Sequence, residues 1–227
     1  MSAGLAITGS QRSVGVAAWR DGGAVAVVDL HDPARDRDWL WPAIDAACRE
    51  AGVSPQALSW IAVDVGPGGF SGLRTTIAAA QSIATVHGVP CVPVPSALVA
   101  ACSTWPVDPP ARAHAVLAVK GTTAWIATLE HEASGWVQRS AAVIDCTTWV
   151  PDDGACVLAD AHCPAIVREA CDRRGVSVVE PTWTGAGVMM AARSAWARGV
   201  QVPPASLEPE YAREPEAVTL WRRRHGG

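Results

Sequence analysis

The chain has 227 residues, 49% of them apolar, a net charge of −4 and a pI near 5.8. That acidic balance argues against a primary nucleic-acid or membrane surface, which needs a dense basic field, and no apolar run reaches the roughly 20 residues that span a bilayer. Seven cysteines without a close CxxC pair fit reduced thiols acting as small apolar groups, and no basic stretch precedes Leu5, so the expected setting is soluble and cytoplasmic.

Leu5 to Thr8, Ser13 to Trp19 and Ala24 to Leu30 are short β-prone runs separated by Gly9, Ser10 and by Arg20 to Gly23, which predicts a meander. Asp32, Arg35, Asp36, Arg37 and Asp38 alternate in sign and read as a solvated loop ahead of a helix. With Asp38 as N-cap, Leu40, Ile44, Ala47 and Cys48 form one helical stripe, and Pro42 falls in the first turn, where its missing N–H is tolerated. Gly52 stops this helix. The apolar run Trp60 to Val65 then predicts a buried strand.

That strand leads into the most specific segment of the chain: Gly66, Pro67, Gly68, Gly69, Phe70, Ser71, Gly72, Leu73, Arg74. A strand entering a glycine-dense turn that opens a helix exposes backbone N–H groups at the positive end of a helix dipole. Ser71 is the expected N-cap, and the glycines are free to take positive φ. No Lys follows as in a Walker loop, and the spacing is not a dinucleotide fingerprint. The turn is therefore either structural or an anion or nucleotide-phosphate cradle. The helix that follows, from about Gly72 to His87, has two apolar stripes, one of Leu73, Ile77, Ala80 and Ala84, the other of Thr76, Ala79 and Ile83. Either both stripes are core, or one awaits a partner, with Ala78, Ala79 and Ala80 permitting close helix approach.

Residues 103–112, with Pro106, Pro109 and Pro110, have linker composition. They divide an N-terminal half, 1–105, from a divergent C-terminal half, 106–227. Residues 113–119, 124–129, 136–143 and 156–159 read as strands, and 164–174 and 186–198 as helices. Three strands and then alternating helix and strand, twice over, is the layout of a duplicated α/β unit whose halves enclose a cleft. Arg222, Arg223 and Arg224 read as a solvated tail. No catalytic residue or metal ligand is identified: the six histidines are scattered, neither HExxH nor GxSxG occurs, and Cys156, His162 and Cys163 match no common zinc spacing.

Residues Gly66 to Arg74 resemble the GPGSFTGLR motif of the bacterial TsaB (YeaZ) proteins, with Gly69 where Ser is usual and Ser71 where Thr is usual. The Leu40 to Gly52 helix, the strand and helix flanking the turn, and the segment GVPCVPVPSALVAA from Gly88 are similar to that family's N-terminal half. Leu207 to Arg213 is similar to its P-x-Y-x-R ending. The likeness is strong over residues 38–100 and loose over 113–200.

The resemblance implies an α/β fold of the ASKHA (actin-like, ribonuclease H-like) type, with two duplicated halves, each a mixed sheet flanked by helices. It implies a non-catalytic subunit of the complex that installs threonylcarbamoyl on N6 of the adenosine beside the anticodon. The implied partners are a metal-binding catalytic subunit, TsaD, and a small ATPase, TsaE, with tRNA contacted indirectly. No cofactor is then required by this chain, and ATP or ADP and a metal ion belong to the partner subunits. The family's contact is a helical bundle that maps to Leu40, Ile44, Ala47, Cys48, Thr76, Ala79, Ala80 and Ile83, and the same helices would serve a homodimer.

Two departures from the family pattern stand out. Ile7, Thr8, Gly9 and Ser10 replace a strand ending in Asp-Thr-Ser, and Val119, Lys120 and Gly121 replace an Asp-Ala-Arg run. Both remove groups that could hold a nucleotide's metal, so the glycine turn reads chiefly as a hinge setting the second helix against the first. The alternative is an ASKHA-type enzyme with its own activity, a nucleotide-dependent phosphotransferase or a peptidase-like hydrolase.

Overall fold

Alternation along the first strand places Leu5 and Ile7 on one face of a sheet and Ala6 on the other, and this two-sided burial organises the whole chain. The computed structural model describes residues 2–31, 38–213, Trp221 and His225. Asp32, Arg35, Asp36, Arg37 and the Arg222 to Arg224 tail lie outside the described residues. The first half comprises β1 (Ala3–Thr8), β2 (Ser13–Arg20), β3 (Ala26–His31), α1 (Leu40–Ala51), β4 (Trp60–Gly66), α2 (Phe70–His87), β5 (Cys91–Pro95) and α3 (Ser96–Thr104). The second comprises β6 (Arg112–Lys120), β7 (Thr123–Glu132), β8 (Gly135–Asp145), β9 (Cys156–Ala159), α4 (Ala165–Arg174), β10 (Val178–Val179) and α5 (Gly185–Ala197).

The two sheets have the same topology. The first runs β3-β2-β1-β4-β5 and the second β10-β9-β6-β7-β8, which is the same order read from the other edge. In each, the meander is antiparallel and the two later strands are parallel additions. The duplication expected from the order of elements is therefore present.

Leu5, Ile7, Val16, Ile61 and Val63 pack under α1 and α2 on one face of the first sheet. Ala6, Trp60, Val92 and Val94 pack on the opposite face in a core shared with Ala115, Leu129 and other residues of the second sheet. Helices α3 and α5 lie between the sheets, so α5, which belongs to the second half in sequence, covers the first sheet. Trp60 sits in this layer between Trp19 and Trp196, with ring centroids at 6.5 and 6.0 Å. Helix α4 closes the far face of the second sheet through Val167 and Cys171.

Two expected caps are corrected. Helix α1 has Trp39, not Asp38, at its N-cap, with no side-chain cap bond, and it ends at Gly52 in the left-handed region at φ 61°. Helix α2 begins at Phe70 with Gly69 at the N-cap, which leaves Ser71 inside the first turn. The cause is tertiary: the Gly69 N–H donates to the Ser10 carbonyl at 2.6 Å, which fixes where the chain enters the helix.

Candidate functional site

The glycine turn is built on a buried acid. Asp64, near the end of β4, is fully buried among apolar neighbours. Thr8 at the end of β1 donates its hydroxyl to Asp64 Oδ2 at 2.8 Å, and Ser10 in the β1–β2 connection donates to the same oxygen at 2.5 Å. Ser96, the first residue of α3, donates to Oδ1 at 2.5 Å, and the Gly66 N–H does so at 3.0 Å. Burial pushes the Asp64 carboxyl above its ordinary range, and the hydrogen bonds from Ser10, Ser96, Thr8 and Gly66 work against that shift. One carboxyl thus gathers β1, β4, α3 and the glycine turn.

The glycines serve mainly for close approach. Only Gly66 among them has positive φ, at 114°; its absent side chain leaves room for the Glu210 carbonyl. A Cβ at Gly68 would overlap the Ser10 carbonyl oxygen, and one at Gly72 would overlap that of Gly9. Gly69, by contrast, has room for a side chain, and it is the position where the resembling motif carries Ser. Gln11 Nε2 adds a bond to the Pro67 carbonyl at 3.2 Å. The inner side of the turn is therefore filled by backbone carbonyls of the β1–β2 connection.

Because those carbonyls are tied to the Asp64 cluster, Gly72→Ala is expected to destabilise the chain by about 1–3 kcal/mol, the usual range for overpacking. Gly69→Ser should be close to neutral. Thermal denaturation of the two variants checks the contrast.

On its outer side the turn carries an exposed stack. The Arg74 guanidinium lies 3.8 Å over the Phe70 ring, Phe70 stacks on Tyr211 at 5.5 Å, and Arg74 Nε donates to the Tyr211 hydroxyl at 3.3 Å. Tyr211 belongs to a C-terminal segment that returns across the first half. Val202 pairs with Cys91, Gln81 Nε2 donates to the Pro204 and Leu207 carbonyls at 3.0 Å each, and the Glu210 N–H donates to the Val65 carbonyl at 2.6 Å. Arg213 then reaches the β6–β7 turn, donating to the Thr123 carbonyl at 3.1 Å and hydroxyl at 2.9 Å.

The residues mapped onto a partner interface fall into two groups. Leu40, Ala47, Cys48, Thr76, Ala79 and Ala80 are buried in the chain's own core, while Ile44 and Ile83 are half-buried at its margin. Besides Phe70 in the stack, the large apolar side chains these helices turn outward are Trp41, 50% exposed, and Val86, 79% exposed, beside an α2 face of Ser71, Thr75, Ala78, Ser82 and Thr85. Asp64 escaped the reading of the sequence, although one carboxylate inside the apolar run Trp60 to Val65 was its signal. Among the described residues, no group of three or more His, Cys, Asp or Glu is placed to hold a metal ion.

Two sheets of identical topology, with helices between and outside them, define an α/β protein with the ASKHA (actin-like) fold. The structure is similar to YeaZ from Pseudomonas aeruginosa, with a TM-score of 0.80 and 21% identity over 92% of this chain and 100% of that one. It is similar also to a second crystal structure, described as an uncharacterized protein with similarity to peptidase YEAZ from Pseudomonas aeruginosa. There the TM-score is 0.79 and the identity 22%, over 94% of this chain and 100% of that one. A family model described as TsaD, tRNA N6-adenosine threonylcarbamoyltransferase, matches residues 35–139, a stretch that contains α1, β4, the glycine turn, α2, β5 and α3. No curated protein matches the sequence. The resemblance read from Gly66 to Arg74 is borne out in the fold.

Proposed function

We propose that this chain is a non-catalytic subunit of a tRNA N6-threonylcarbamoyladenosine modification complex, pairing with a TsaD-like catalytic subunit that a TsaE-like ATPase joins. The observation that carries this reading is the match of residues 35–139 to the TsaD family model within a chain of YeaZ-like fold. The outward faces of α1 and α2 suit such pairing. Small residues along α2 let a partner helix approach closely, and Trp41 and Val86 offer apolar anchors at the edges. The contact is a helical bundle, as the resemblance implies, but built from these outward side chains rather than from the buried stripe. The same face would serve a homodimer when the partner is absent.

In this reading the glycine turn and Asp64 are a brace that presents α2, and the chain itself needs no cofactor. The buried hydroxyls of Ser10 and Ser96 are committed to Asp64, an arrangement that suits bracing better than nucleophilic attack by an independent hydrolase. Reconstitution tests the reading. Threonylcarbamoyl transfer to tRNA should require both this chain and the TsaD-like subunit of the same organism, and this chain alone should turn over neither ATP nor peptides. Full transfer without this chain, or ATP hydrolysis by the chain alone, would overturn it.

A further inference from the structure

A groove of about 410 Å³ runs between α2 and the returning C-terminal segment, lined by Arg74, Ile77, Ala78, Gln81, Leu207 and Tyr211 among others. Its walls are set before any partner arrives, because the Gln81 amide holds the Pro204 and Leu207 carbonyls in place. The floor is apolar, formed by the edges of Ile77 and Leu207, both of which also belong to the core beneath. Arg74 is the single charged side chain of the lining.

Among the described residues, the guanidinium of Arg74 is fixed but not neutralised. Phe70 supports its face and the Tyr211 hydroxyl accepts from Nε, yet among the described residues no carboxylate pairs with it and its terminal nitrogens make no hydrogen bond. A guanidinium held in one plane with its outer edge open matches a carboxylate in the two-pronged geometry, and it loses little side-chain freedom on forming the pair. An apolar trough beside one fixed, unpaired cation is complementary to an apolar segment that carries an acid.

We propose that this groove docks an acidic, apolar segment of the TsaD-like partner, with an Asp or Glu carboxylate on Arg74 and a neighbouring apolar side chain seated between Ile77 and Leu207. This rests on the function proposed above and adds to it the chemistry of one contact. The site lies beside the outward face of α2, so one partner could engage both.

The test titrates full-length chain into the TsaD-like subunit and compares wild type with Arg74→Glu and Arg74→Lys. Arg74 is exposed and, among the described residues, without a carboxylate partner, so both variants should keep the wild-type near-UV spectrum and melt within a few degrees of wild type. Arg74→Glu is expected to weaken binding at least about 30-fold, as reversal of a desolvated charge contact does, and Arg74→Lys about 10-fold, since it keeps the charge but not the fork. Benzoylphenylalanine placed at Ala78 should cross-link to a partner segment containing Asp or Glu. Binding of Arg74→Glu within about threefold of wild type, or an adduct on a segment without an acid, overturns this inference while the functional reading stands. A wild-type chain that does not bind the TsaD-like subunit overturns both.

Discussion

Asp64→Ala is expected to lower the melting temperature by roughly 10 °C. The substitution leaves the hydroxyls of Thr8, Ser10 and Ser96 and the Gly66 N–H facing a buried void where each had an acceptor. Stranding buried donors costs about 1–3 kcal/mol each, and breaking a buried polar cluster typically costs about 3–5 kcal/mol in all, because some donors find new partners. For a chain of this length about 1 kcal/mol moves the midpoint by about 2–4 °C. Asp64→Asn keeps the shape and one acceptor, so it should lose considerably less.

The same residue gives a pH dependence with a definite sign. Burial raises the folded-state pKa of Asp64 above its ordinary value, so its protonated form favours folding. That contribution is fully present below the ordinary Asp range and is lost as pH rises through the raised folded value. The melting temperature of wild type relative to Asp64→Asn should therefore shift in favour of wild type as pH is lowered from about 8 towards about 4. A difference independent of pH would show that Asp64 does not titrate in that window.

The second large effect separates folding from association. Leu40 is only 3% exposed and packs in the core beneath α1, so Leu40→Arg places an unpaired charge there and should destabilise the chain by more than about 4 kcal/mol. Val86 is 79% exposed, and Val86→Arg should change stability by no more than about 0.5 kcal/mol. In the proposed complex its effect falls on the partner contact, where loss of an apolar anchor and introduction of a charge should weaken binding at least about tenfold. Circular dichroism melts and titration of the same two proteins measure both quantities.

What the sequence conveys about this chain follows from which forces are local. Alternation in Leu5 to Thr8 and Ser13 to Trp19 is local, and it yields the meander and its repetition in the second half. The cap at Ser71 fails because side-chain preference near a helix start is worth about 1 kcal/mol, less than the long-range tie between Gly69 and Ser10 can impose. The stripes of α2 show the same limit. Periodicity identifies Thr76, Ala79 and Ala80 as apolar-facing, yet it is silent on whether the sheet or a partner covers them. The segment from Pro204 to Leu207, more than 120 residues further along the chain, seals the helix edge at Gln81. The glycines of the turn were legible as necessary, but close approach to Gly9 and Ser10 is a tertiary fact, and only Gly66 uses the conformational freedom that glycine offers.

Whether α1 and α2 face outward to hold a TsaD-like subunit is tested most directly by titration of the purified chain into that subunit from the same organism. A one-to-one complex with a dissociation constant of about 1 μM or tighter is expected, weakened by Val86→Arg in a chain that remains folded. Absence of a complex at concentrations of about 100 μM, or a complex indifferent to Val86→Arg and to a charge at Trp41, would contradict it.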